Sequence, residues 1–302
     1  MVISANDPSL NRRRRLEEDY EKRVNVLILH INQHLDEPLK LDDLARVACF
    51  SPFHLHRIFS AFTGIPMGEY IRRLRMGRAV LQLSHTRRPV THIAFEAGYD
   101  SLASFSKAFR QAYGLRPSDV RREHITHLPF RNGKTELSRR MEMKPEIRTY
   151  PDRKIVSVIC KGFEGNTFNK AADKAFTALC DYMGKNHLWE FERGCLGICP
   201  DDCTTTKPEE CRYIGAFFVD DKTPAQPEGE VKVGKIDGGR FAVFTYKGPF
   251  EGLTGFWSSV YRDWLPASGE KPRDVAPFEV YLDDKKKTRP EDLHTEVHIP
   301  IM

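Results

Sequence analysis

The sequence lacks any run approaching the ~20 consecutive apolar residues that a membrane span requires. Its first residues also lack the apolar core of a secretory leader. A cytoplasmic protein with no membrane partner is therefore the expectation. Cysteine is sparse and odd in number, seven in 302 residues, which does not suit a disulfide framework. Glycine-rich phosphate loops, a Ser-His-Asp set and recognised metal motifs are missing too, so no cofactor and no metal is expected. What remains is an ordinary soluble composition, 40% hydrophobic and 29% charged, long enough for two domains.

Charge is unevenly shared. Residues 1–140 hold 24 Lys and Arg against 15 Asp and Glu, which leaves 23 against 27 for residues 141–302. A basic front half joined to a mildly acidic back half suggests an anionic partner for the first, with double-stranded DNA the leading candidate. Basic surface serving solubility alone is the alternative.

From Val24 to about Arg122 apolar residues recur at helical spacing, with turn residues at "DEP" (36–38), "TGIP" (63–66), "TRRP" (86–89) and "GLRP" (114–117). The segment also repeats. Leu44, Ala45, Ala48 and Phe50 match Ile93, Ala94, Ala97 and Tyr99 at an offset of 49. After one inserted residue, Leu55, Phe59 and Gly64 match Phe105, Phe109 and Gly114. Each copy reads as a short helix, a tight turn and a longer helix capped by Ser51 or by Asp100/Ser101, with a glycine stop. The small residues let the two helices cross closely, as a helix-turn-helix requires.

The repeat sorts each second helix by face. Leu55, Ile58, Phe59 and Phe62 form one core stripe, and Phe105, Ala108, Phe109 and Ala112 the other. Ser51, Phe53, His56, Arg57 and Ser60 are then left to face outward, as are Leu102, Ala103, Ser106, Lys107 and Arg110. Exposed positions near such a helix start are those that reach base edges in a major groove. Arg57 suits a bidentate contact with guanine, and Phe53 an apolar contact. Lys107 and Arg110 suit phosphates. His54 and His56, two residues apart, point to different sides of the helix and cannot share a metal.

Residues 24–122 resemble the tandem helix-turn-helix domain of the AraC/XylS family of bacterial transcription regulators. The resemblance rests on "LDDLARVACFSPFHLHRIFSAFTGIPMGEYIRRLRMGRAVLQL" and "PVTHIAFEAGYDSLASFSKAFRQAYGLRPSDVRR". It implies two recognition helices in successive major grooves, joined by a long helix at roughly 66–83. It also implies Phe53, His56 and Arg57, then Leu102, Ala103, Ser106 and Lys107, at base-contacting positions. Leu102 and Ala103 carry no polar group, which makes the first helix the main expected reader. "RRRR" (12–15), within residues 1–23 read as a basic tail and the start of the first helix, is an arm touching phosphates or a solvated tail. Residues 124–140, around Gly133, read as a linker between a DNA-binding domain (24–123) and a second domain (141–302).

The second domain alternates strand-like runs with helices. "KIVSVICKG" (154–162) and "GRFAVFTYKG" (239–248) each lead into a helix, here 251–265 in the second case. Each helix is followed by a strand with an acidic turn, "CLGICPDD" (195–202) and "PFEVYLDD" (277–284). Each copy then closes with "ECRYIGAFFV" (210–219) or "DLHTEVHIPI" (292–301). The expected architecture is thus an all-α tandem helix-turn-helix domain followed by an α+β domain built from a duplicated β-α-β-β unit, with a ligand cleft between the halves.

In "PFEVYLDD", Phe278, Val280 and Leu282 are expected to face the helices, leaving Glu279 and Tyr281 toward solvent or cleft. Gly197 and Cys199 take the matching positions of the first copy, so one half supplies groups and the other supplies room. Trp257, Tyr261 and Trp264 are candidates to line the cleft. A carboxylate among aromatic faces suits an amphipathic cation; an exposed glutamate on an edge strand is the plain alternative.

Residues 141–302 resemble the GyrI-like small-molecule-binding domain, found alone and fused to such regulators. The resemblance is carried most closely by "GRFAVFTYKGPFEGLTGFWSSVYRDWLPASGEKPRDVAPFEVYLDD" and "LHTEVHIPI", and it places Glu279 at the family's ligand-binding carboxylate. Cys195, Cys199, Cys203 and Cys211 do not follow a zinc spacing and read as core or surface residues, with a redox role the alternative. The expected function is a DNA-binding regulator whose small-molecule effector alters DNA affinity or contact with RNA polymerase. A hydrolase acting on strained electrophiles, with Glu279 activating water, is the alternative.

Overall fold

The computed structural model describes residues 8–128, 143–164, 167–203 and 205–302, with backbone alone for 8–13. The expected linker around Gly133 lies outside the described residues from 129 onward. Among the described residues no helix is long and apolar enough to cross a membrane.

Among the described residues seven helices form the front half: α1 (Pro8–Gln33), α2 (Leu41–Val47), α3 (Pro52–Thr63), α4 (Met67–His85), α5 (Val90–Glu96), α6 (Leu102–Tyr113) and α7 (Pro117–Glu123). The segment 12–15 is part of α1 and not an extended arm. Leu16, Tyr20, Val24, Leu27 and Ile31 fall at helical spacing and are all buried, so the helix continues back past Val24.

Both helix-turn-helix units form as their local signals require. Ser51 and Ser101 cap α3 and α6 through hydroxyls that accept from Phe53 N and Ser104 N. Gly64 and Gly114 end them with φ of 76° and 77°, the left-handed geometry glycine adopts freely. α4 joins the units by contributing to two cores. Met67 and Ile71 pack with Leu44, Leu55 and Phe59. Met76, Val80 and Leu83 pack with Ile93, Phe105 and Phe109. Phe62 and Ala108, expected in the core, are only half-buried at its margins.

The described residues of the back half form one antiparallel sheet of eight strands in the order β1-β6-β8-β7-β3-β4-β2-β5. In chain order the strands are β1 (Glu146–Tyr150), β2 (Arg153–Lys161), β3 (Glu192–Ile198), β4 (Arg212–Val219), β5 (Lys232–Ile236), β6 (Gly239–Lys247), β7 (Phe278–Tyr281) and β8 (His294–Ile301). β1 and β5 were not expected from sequence. They are the two sheet edges and largely exposed, so they lack the alternating apolar pattern that identifies a strand.

Helix α8 (Asn169–Lys185) covers β2 and β4. The second helix of the sheet, expected at 251–265, is divided into α9 (Leu253–Ser259), a π-helical turn (Val260–Trp264) and α10 (Leu265–Ser268). Pro266 has no N–H to continue an ordinary helical ladder, which accounts for the irregular step just before it.

The strand face carrying Phe278 and Val280 corrects an expectation. Both pack with Leu196, Phe218 and Phe241 on the side of the sheet away from the helices. Glu279, opposite Val297 in the β7–β8 pair, shares the helix-covered face instead. The reason is that the curled sheet has apolar layers on both faces, so an apolar stripe need not point at a helix. Leu282 lies past the strand and is exposed.

The two halves share a core. Leu27, Leu55, Ile58 and Phe59 of the front half form one cluster with Val260, Tyr261, Leu265 and Val297 of the back half. Burial of such side chains contributes about 1.5–3 kcal/mol each, which makes this contact a packed interface.

Candidate functional site

Between α8 and α9, above the seam where β3 meets β7, lies a cleft of about 1690 Å³. Its floor is polar. Glu279 accepts hydrogen bonds from Trp257 Nε1 at 2.6 Å and from Tyr281 Oη at 2.8 Å. Tyr281 Oη lies 3.0 Å from Tyr213 Oη. Burial pushes the Glu279 carboxyl above the usual carboxylate range, opposed by these two donors and by the charge of Arg57. Gly197 pairs with Glu279 across the strands. A Cβ there would overlap Tyr281 Oη and lie 2.5 Å from Tyr213 Oη, so the room glycine leaves is taken by the tyrosine pair. Phe176 and Phe250 set their rings edge-on to Tyr281 at 6.2 and 5.4 Å. The result is a half-buried carboxylate among aromatic faces, suited to an organic cation.

The cleft is not closed by the back half alone. His56, Arg57 and Ser60 of α3 stand on its wall. Arg57 places its guanidinium 4.7 Å from the Trp257 ring centroid and 5.9 Å from that of Tyr261. It donates to Phe53 O at 2.8 Å and to Cys199 O at 3.4 Å. This overturns the outward orientation expected for Phe53, His56 and Arg57. No residue of α3 is exposed. A single-helix pattern cannot register that another domain covers the face it leaves polar.

His54 holds that contact. It is 1% exposed, with Nδ1 2.6 Å from Tyr261 Oη and Nε2 2.9 Å from Arg273 O. A carbonyl only accepts, so Nε2 carries the proton and the Tyr261 hydroxyl donates to Nδ1. The ring is thereby satisfied as a neutral imidazole. Burial, followed by the charge of Arg57, lowers its pKa to about 4. Ser51 Oγ adds a hydrogen bond to Asp274 at 2.6 Å. His54 lies off the core stripe, and its partners are more than 200 positions away in sequence, so helical spacing alone does not find this role. The π-helical turn presents Tyr261 toward it.

The second helix is the opposite case. Leu102, Ala103, Lys107 and Arg110 of α6 are exposed, and Ser106 is half-buried. Leu102 retains 40% of its surface accessible. The repeat thus presents one open and one covered helix.

Of the residues expected to line the cleft, Glu279, Tyr281 and Trp257 do so, whereas Tyr261 and Trp264 do not. Tyr261 is turned into the interdomain core against His54. Trp264 packs edge-on to Phe244 at 5.0 Å. The irregular helix rotates both away from the face that a regular helix would give them. Residues sequence reasoning left out are Tyr213, Phe176 and Phe250, whose place depends on strand register and helix docking.

Among the described residues no group of three or more His, Cys, Asp or Glu side chains could hold a metal ion. All seven cysteines are free thiols. Burial pushes Cys195 up to about 12 and raises Cys199, Cys203 and Cys211 as well, which keeps them protonated and poorly reactive.

A GyrI-like small molecule binding domain matches residues 143–302, and a helix-turn-helix domain matches residues 44–123. The chain belongs to the AraC family and carries a GyrI-like domain. AraC-family relatives share the whole arrangement: the right origin-binding protein of Escherichia coli (strain K12) is 27% identical over 296 residues, 92% of this chain and 97% of that protein. The transcriptional regulator Rob of Salmonella typhimurium gives the same identity and coverage. The regulatory protein SoxS of Escherichia coli (strain K12) is 37% identical over 102 residues, 34% of this chain and 95% of SoxS.

Proposed function

We propose that the chain is a sequence-specific DNA-binding transcription regulator whose GyrI-like domain binds a small organic cation as effector. The observation that carries the effector reading is Glu279, a half-buried carboxylate held by Trp257 and Tyr281 at the floor of an aromatic cleft. An unpaired buried charge is costly, so such a group is kept where an incoming cation can complete it. The DNA reading is supported by the tandem helix-turn-helix units and by relatives named as origin-binding and regulatory proteins.

On this reading α6 meets one major groove through Leu102, Ala103, Ser106 and Lys107, with Arg110 on phosphate. α3 brings Ser51, Phe53, His56 and Arg57 to the next. The DNA-binding domain is taken as 24–123 and the effector domain as 141–302, with RNA polymerase the recipient of the regulatory contact. The effector domain reads as a duplicated β-α-β-β unit, since β2-α8-β3-β4 and β6-α9-β7-β8 take matching places about the β3–β7 seam. The regulatory relatives favour a sensor over a hydrolase.

The test is saturable binding without turnover. Benzamidinium, a flat aryl cation, should quench Trp257 fluorescence, whereas benzamide, its neutral analogue, should bind at least tenfold more weakly. Equal affinities, or hydrolysis of electrophilic esters that Glu279→Gln abolishes, would contradict the reading.

A further inference from the structure

The reading face of α3 and the cation site of the GyrI-like domain are one surface. Arg57 is the residue best suited to a guanine edge, yet its guanidinium stacks on Trp257, 4.7 Å from the ring centroid, and its charge acts on Glu279. Those are the contacts an aryl cation would seek in the same cleft. A helix fills most of a major groove about 12 Å wide, so α3 cannot enter one while the other domain lies against its reading side. α6, with its reading side open, is under no such restriction.

We infer that Arg57 is the internal occupant of the cation site, so that α3 is held closed against the GyrI-like domain until an organic cation takes the place of Arg57. This rests on the effector reading above and gives it a direction. Cation and DNA both require the state in which Arg57 has left Trp257, so each raises the affinity of the other, by the same factor. The contacts that resist opening are Ser51 with Asp274, and His54 with Tyr261 Oη and Arg273 O. Arg57 is then a specificity element twice over: on DNA it reads a base, and in the cleft it sets the chemistry of the ligand that replaces it, a planar guanidinium-like or amidinium-like cation.

The experiment measures affinity of the full chain for a duplex it selects from a random library, and for a scrambled duplex, with and without benzamidinium. Binding of benzamidinium is followed in parallel by Trp257 fluorescence. Tyr261→Phe removes only the hydroxyl that donates to His54 and keeps the ring that lies beneath Arg57. Asp274→Ala, on an exposed position, removes the Ser51 contact with little risk to folding. Both variants should bind the selected duplex about three- to tenfold more tightly than the unaltered chain, with a smaller gain on the scrambled duplex. Saturating benzamidinium should give the unaltered chain a comparable gain and the variants less. Benzamidinium that binds without altering DNA affinity, or lowers it, would overturn the inference and leave the effector reading intact. Tighter DNA binding by both variants with no benzamidinium binding would keep the closed contact but overturn its release by a cation, and the effector reading with it.

Discussion

Gly197 stands directly opposite Glu279 where β3 meets β7, and the absence of a side chain at the first makes room for the Tyr281 hydroxyl that donates to the second and for the Tyr213 hydroxyl beside it. The carboxylate and the empty position form one device. One of the two donors to Glu279, Tyr281, approaches through the room that Gly197 leaves.

Gly197→Ala should therefore damage the site more than the fold. The added methyl overlaps Tyr281 Oη, and overpacking of this kind costs about 1–3 kcal/mol. Thermal unfolding should show a drop of a few degrees, roughly 2–4 °C per kcal/mol for a chain of this class. Benzamidinium affinity should fall at least tenfold, on the order of 1.4 kcal/mol. Retention of full affinity would show that the tyrosine pair does not position Glu279.

Glu279→Gln separates binding from stability. The folded pKa of Glu279 is raised, so its contribution to stability is fully present below its unfolded value and is lost as pH rises through the folded one. At neutral pH the half-buried ionised carboxylate is thus a cost that glutamine removes. The variant should melt at the same or a higher temperature at pH 7.5, with the difference vanishing near pH 4, while cation binding is lost. A lower melting temperature at pH 7.5 together with undiminished cation binding would contradict the assignment.

The interdomain contact should weaken in acid. His54 meets Tyr261 from the π-helical turn, Arg273 and Asp274 from the segment before β7, and His56 and Arg57 from its own helix. Its pKa is lowered to about 4 when docked, so the contact is fully present above the free value near 6.5 and is lost as pH falls toward 4. At pH 5.5 the shift corresponds to roughly tenfold weakening. In an NMR titration with the His54 resonance assigned, that ring should titrate near pH 4 in the chain alone and move toward 6.5 with saturating DNA. Titration of His54 near 6.5 in both states would remove it from the contact.

The two reading helices should respond differently to mutation. Arg110→Ala on the open α6 should weaken all duplexes alike and reduce the slope of log affinity against log salt by about one. Arg57→Ala should instead relax base preference in one half-site, a loss of about 1–3 kcal/mol of discrimination. Binding-site profiles for both variants across a salt series check the pair; an unchanged Arg57→Ala profile would exclude base reading there.

Local signals in the sequence carried the helical half well. Ser51, Ser101, Gly64 and Gly114 sit at the helix ends where capping chemistry puts them. Leu55, Phe59, Phe105 and Phe109 are core because their spacing fits one helical face. Glu279, Tyr281 and Trp257 were accessible to the same reasoning, since a carboxylate among aromatics breaks an otherwise apolar pattern. The side of Phe278 and the orientations of Tyr261 and Trp264 were not. The first depends on a second apolar layer across the sheet, and the others on a π-helical turn that shifts helical phase. Least legible was the covering of α3, because its partners Tyr261, Arg273 and Asp274 follow it by more than 200 residues. Helical periodicity records a buried face but not which domain buries it.

Histidine modification by diethyl pyrocarbonate, mapped by mass spectrometry at pH 7.5, tests the closed contact most directly. His54 should be nearly unreactive in the chain alone, while His92, exposed on α5, reacts freely. Saturating benzamidinium should raise labelling of His54 severalfold and leave His92 unchanged. Labelling of His54 at the rate of His92 without any ligand would show that α3 is not held against the GyrI-like domain.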